Sequence, residues 1–151
     1  MNLEMPPRTA VILLAEDNPT DVMLTREALA NTGLLHTLHV VENGVEVMAF
    51  LRQQNKHAGA PRPDMILLDL NMPRKDGLEV LTEIKADVKL GNIPVIILTT
   101  SSSGDDTIKA YASHANCYIR KTADFDDFTQ AIQSVLDFWF WSVTLPMPSE
   151  H

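Results

Sequence analysis

Three short runs along the chain are almost unbroken in apolar residues: AVILLA at 10–15, MILL at 65–68 and VIIL at 95–98. Runs of this length without polar alternation predict strands buried on both faces, the signature of a parallel sheet. Residues 35–41 alternate weakly and are rich in strand formers, and CYIR at 117–120 predicts a last strand. Between these runs the apolar residues fall at helical spacing. The spacing predicts helices over 20–31, with Leu24 and Ala28 on one face, and over 45–54, with Val47, Phe50 and Leu51. A third, over 77–88, carries the stripe Leu78, Leu81, Ile84 and Val88, and a short one covers 105–113. The last starts near Asp124, with Phe128, Ile132, Val135 and Trp139 along its inner face. Asp17 or Asn18 before Pro19 suits a helix start, and Gly33 suits a helix stop. Residues 55–64, with Gly59, Pro61 and Pro63, read as a long loop.

Five strands each followed by a helix predict an α/β fold, a doubly wound parallel sheet with helices on both faces and right-handed crossovers. In such a sheet all strands end on one edge, where ligands bind. The residues at those ends are matched in chemistry. The first strand ends in Glu16 and Asp17, the third in Asp69, the fourth in Thr99 and the fifth in Lys121. Taken singly, each has a plain explanation. Asp69 starts a turn or caps a helix, the acid pair caps a helix, Thr99 is a β-former and Lys121 is solvated. Taken together they describe a site. Converging carboxylates raise one another's pKa values unless a cation intervenes, and an all-oxygen set suits Mg²⁺. A metal, an ammonium, a hydroxyl and a nucleophilic carboxylate form a phosphoryl-handling set.

Length and charge narrow the function further. The chain's 151 residues fit one domain, and its net charge of −8 argues against nucleic acid as a partner. A single cysteine, Cys117, excludes an internal disulfide; it reads as a small buried apolar residue. The start lacks a secretory signal pattern and no apolar run reaches membrane-spanning length, so the expected location is the cytoplasm, with no membrane partner. The five histidines show no paired metal-ligand spacing.

The segments ILLAEDN, ILLDLNMPRKDG, VIILTTS and CYIRK carry a resemblance to the response-regulator receiver domains of two-component signalling. The resemblance covers almost the whole chain: residues 9–141 form the receiver, flanked by tails at 1–8 and 142–151. It implies the flavodoxin-like strand order 2-1-3-4-5. It also implies roles. Asp69 is the phosphoacceptor for a partner histidine kinase, and Glu16, Asp17, Asp69 and the backbone carbonyl of Asn71 hold Mg²⁺ or another divalent cation. Lys121 pairs with Asp69 or with the phosphoryl group, Thr99 bonds a phosphoryl oxygen, and Tyr118 turns inward as the aromatic switch. Ser101 and Asn71 influence hydrolytic water. One departure stands out: receivers place a proline, often cis, directly after this lysine, and here Thr122 follows. A cis bond before threonine costs about 3–4 kcal/mol.

The EDNPTD opening, the loop 55–64 and the FWFWSVTLP ending are similar to stand-alone response regulators paired with cyanobacterial and other bacterial phytochromes. This implies a light-sensing histidine kinase as phosphoryl donor, a homodimer and an unidentified downstream protein. Four adjacent aromatics, Phe138-Trp139-Phe140-Trp141, cannot all face one core, so Phe138, Phe140 and Trp141 are expected at an interface. The expected function is a phosphorylation-switched module and not an enzyme with turnover. Other functions fit the same fold less well. A phosphatase of the haloacid-dehalogenase type would want a second carboxylate where Asn71 stands, and a flavin carrier would find the acidic loop Glu16-Asp17 repelling its phosphate. A non-phosphorylated adaptor or dimerisation module leaves the intact site residues unexplained.

Overall fold

The computed structural model describes residues 9–70, 72, 74–99, 115, 117–121 and 124–142, the last two as backbone only. Five parallel strands form one sheet: β1 (Ala10–Ala15), β2 (His36–Val41), β3 (Met65–Asp69), β4 (Val95–Thr99) and β5 (Cys117–Arg120). Their order is β2-β1-β3-β4-β5, so the chain reverses its winding beside β1 and β3. The three apolar runs are the three inner strands. Every residue of β3 and β4 is buried, and in β1 only Val11 is half-exposed. The edge strands β2 and β5 are half-buried, which is why their apolar pattern is weaker in the sequence.

Strand alternation sorts the core into two layers. Leu13, Ile66, Leu68 and Ile97 face helices α2 (Gly44–Leu51) and α3 (Gly77–Ala86), meeting Val47, Phe50, Val80, Leu81 and Ile84. Ile12, Leu14, Leu67, Ile96 and Leu98 face the other way, where Ala28 and Leu29 of α1 (Pro19–Asn31) join Phe128, Ile132 and Leu136 of α4 (Phe125–Leu136). Each such side chain removed from water contributes about 2 kcal/mol. The expected helix over 105–113 lies outside the described residues.

The helix faces differ from the expected stripes in two places. Leu24 is exposed, and α1 instead buries Thr25, Ala28 and Leu29. Val88 is 92% exposed, because α3 stops at Ala86 and Asp87 takes an extended conformation; Val80 fills the core instead. Cys117 is half-buried on its edge strand. After α4 the backbone widens into a π-helical turn, Asp137–Ser142. Trp139 and Phe140 both reach the second core layer there, so Phe140 is partly taken up by the protein's own core and not wholly available for an interface. Phe138 stays 54% exposed, edge-on to Trp139 at 5.3 Å. The side chain of Trp141 lies outside the described residues.

Gly77 fixes how closely α3 approaches the end of β3. Its N–H donates to Leu70 O at 3.1 Å, and a Cβ placed on it would come within 2.6 Å of Asp69 O and 2.7 Å of Leu70 Cα. Both obstacles are backbone, so neither can swing away. Gly77→Ala is expected to destabilise the fold by about 1–3 kcal/mol and to shift Asp69. Denaturant midpoints measure the first effect, and a wild-type midpoint would show that the loop has room to yield.

Candidate functional site

The site forms where β1, β3 and β5 end on the same edge of the sheet. Asp69 is the last residue of β3 and is only 4% exposed, an ionisable group at the end of a wholly apolar strand. Glu16 follows β1 directly and is 1% exposed, its backbone N–H tied to Val41 O at 2.9 Å. Asp17 comes next and is exposed. Asn18 settles which residue caps α1: its Oδ1 accepts from the N–H groups of Thr20 (2.8 Å) and Asp21 (3.2 Å). Asp17 is therefore not needed as the cap. Carboxylate oxygens of Glu16, Asp17 and Asp69 all lie within 4.8 Å of one another.

Lys121 enters this cluster from beyond β5, anchored by its own N–H donating to Thr99 O at 2.7 Å. Its Nζ stands 2.5 Å from Glu16 Oε1, 3.0 Å from Asp21 Oδ2 and 3.4 Å from Asp69 Oδ2. The closest partner is thus Glu16, whereas the resemblance pairs the lysine with Asp69. Burial alone would lower the pKa of Lys121, but the surrounding carboxylates outweigh it and raise the value, so the ammonium stays charged. Glu16 is pushed up to about 7, first by burial; Lys121 pulls in the opposite direction, and a hydrogen bond with Asp69 together with its charge adds to the rise. Thr99 is wholly buried at the end of β4, opposite Arg120 in the sheet register. Tyr118, two pairs earlier opposite Ile97, is half-buried against the α2–α3 layer. Asn71, Ser101 and Thr122 lie outside the described residues, and with them the carbonyl expected as a metal ligand and the Lys121–Thr122 bond.

The donor set fits a divalent cation. It is all oxygen, and three carboxylates crowd within 4.8 Å of one another. A cation there must displace the proton that Glu16 holds below about pH 7. Mg²⁺ affinity is therefore expected to be level above pH 8 and to fall roughly tenfold from pH 8 to pH 6. Calorimetry in buffers of different ionisation enthalpy checks this, since binding at pH 6 should release about one proton. Equal affinity at both pH values would contradict the assignment.

Sequence inspection missed Asp21. A carboxylate in the first turn of a helix is ordinary, and nothing local distinguishes this one. Its partner, Lys121, lies 100 residues away. The close approach at Gly77 was also hidden, because it depends on where α3 lands.

A buried aspartate at a strand end, gathered with acids from β1 and a lysine from β5, is the arrangement expected of a response-regulator receiver. The chain belongs to that family: the model of the response regulator receiver domain matches residues 12–133. Response regulator Rcp1 of Synechocystis sp. is 46% identical over 141 residues, covering 93% of this chain and 95% of that protein. The crystal structure of the phosphorylated cyanobacterial phytochrome response regulator RcpA superposes with a TM-score of 0.86 at 47% identity, covering 93% of this chain and all of that one. The Mn²⁺-bound form of Rcp1 superposes at 0.84 with 46% identity, covering 91% of this chain and 99% of that one. The metal in that relative agrees with the acidic cluster found here. No helix among the described residues is long and apolar enough to cross a membrane.

Proposed function

We propose that this chain is a cytoplasmic, phosphorylation-switched signalling module whose Asp69 takes a phosphoryl group from a phytochrome-type histidine kinase. The observation that carries the reading is the buried Asp69 carboxylate, gathered with Glu16, Asp17 and the Lys121 ammonium. One Asp69 oxygen attacks phosphorus in line, the phosphorus–nitrogen bond of the donor phosphohistidine breaks, and the imidazole leaves with a proton. A divalent cation held by Glu16, Asp17 and Asp69 supplies positive charge to the transferring oxygens. Lys121 neutralises the charge left on Asp69 and its phosphoryl group. Thr99 then bonds a phosphoryl oxygen, and Tyr118 on the neighbouring strand reports the change. A local charge change thus biases a two-state element. The chain acts once per phosphoryl group and is not a turnover enzyme.

The donor class is supported by the similarity to RcpA, a cyanobacterial phytochrome response regulator. Mixing the protein with an autophosphorylated bacterial phytochrome should move label from kinase to regulator within minutes, and Asp69→Asn should receive none. Failure of transfer from phytochrome kinases, with uptake from a small phosphodonor intact, would reject the donor and keep the acceptor.

The proposed assembly is a homodimer through the last helical segment, where Phe138 exposes an aromatic face. Phe138→Ala, combined with Trp141→Ala, is expected to weaken self-association at least about tenfold. Sedimentation at micromolar concentration reads this directly, and a wild type that is already monomeric would contradict it.

A further inference from the structure

Asp21 is unaccounted for by the phosphoacceptor site, yet it touches it. It sits in the first turn of α1, its carboxylate 3.0 Å from Lys121 Nζ, and both groups are largely shielded from water. Three carboxylates share that ammonium: Glu16, Asp21 and Asp69. Glu16 and Asp69 belong to the acidic cluster with Asp17, whereas Asp21 does not. When the cluster holds a cation, Glu16 and Asp69 share their charge with it. Asp21 is then the carboxylate whose charge stays with the lysine. The residue after Lys121 is Thr122, so no proline ring restrains the backbone there.

We propose that Asp21 is the positioning residue for Lys121, holding the ammonium beside Asp69 before and during phosphoryl transfer. It acts through Lys121 and touches no reacting atom. This rests on the reading of Asp69 as phosphoacceptor. The ordinary alternative is that Asp21 only complements the helix dipole. The two differ in one respect: a dipole role does not depend on Lys121.

The test is the rate of phosphorylation by a small phosphodonor at saturating Mg²⁺, compared in wild type, Asp21→Asn, Asp21→Glu, Lys121→Ala and the double variant Asp21→Asn/Lys121→Ala. Asp21→Asn is expected to lower the maximal rate about five-fold, the loss of one partly shielded charge pair. Asp21→Glu should restore most of it. In the Lys121→Ala background Asp21→Asn should change nothing further. Thermal melts of each variant confirm that all are folded, and Asp21→Ser serves if the asparagine variant is not. An unchanged or faster rate in Asp21→Asn overturns the proposal, as does an equal fall in both backgrounds. If the wild type itself takes no phosphoryl group, the reading of Asp69 fails and the proposal falls with it; a labelled wild type with an indifferent Asp21 rejects the proposal alone.

Discussion

Lys121→Ala is expected to destabilise the metal-free protein by about 3 kcal/mol and to lose most of that deficit once Mg²⁺ is added. The ammonium stands within 3.4 Å of three carboxylates, two of them buried. Removing one partner of a buried ion pair costs about 3–5 kcal/mol, because the remaining charge is stranded. Here the low end applies, since Glu16 has an exit. With its pKa already raised to about 7, it takes up a proton once the lysine is gone. The deficit should therefore shrink at low pH as well as with Mg²⁺, because either a proton or a cation replaces the missing charge. Chemical denaturation at pH 6 and pH 8, with and without Mg²⁺, separates these effects. A loss of stability insensitive to both would mean that Lys121 contributes mainly by packing its chain.

Asp69→Asn is expected to have the opposite sign in the same experiment. It keeps the shape of the side chain while removing a buried charge that repels Glu16. The metal-free protein should gain about 1 kcal/mol, and the pKa of Glu16 should fall part of the way toward the ordinary carboxylate range, since burial, the largest cause of its rise, remains. The sign follows from linkage. A carboxyl group raised in the folded state binds its proton more tightly there than in the unfolded chain. Folding is therefore favoured less as pH rises from about 4.5 to about 7, and Asp69→Asn should flatten that fall. Mg²⁺ should stabilise this variant far less than the wild type, because one of three clustered carboxylates is gone. Equal stabilisation of both proteins by Mg²⁺ would place the cation elsewhere.

The parts of this molecule legible in sequence share a physical cause. β1, β3 and β4 show as apolar runs because both of their faces are buried, and a parallel sheet brings the residues after such runs to one edge. Glu16, Asp69 and Thr99 could be assembled from that rule alone, and Lys121 from the weaker pattern of the edge strand β5. Helix faces were harder to read. Leu24 and Thr25 are adjacent on α1, and the polar one is buried, since the face is chosen by how the helix lies on the sheet. Val88 has the right spacing but follows the helix end at Ala86. The π-helical turn changes the phase beyond Leu136, so a regular 3.6-residue period misplaces Phe140. Asp21 shows the limit most clearly, because its meaning lies in an ion pair across 100 residues of chain.

The central claim is that Asp69 is a cation-dependent phosphoacceptor. Its most direct test is the intact mass of the protein after incubation with a small phosphodonor. The added mass of one phosphoryl group is expected in the presence of Mg²⁺, none after chelation, and none in Asp69→Asn. A wild type that gains no mass with Mg²⁺ present, or an adduct that persists in Asp69→Asn, would contradict it.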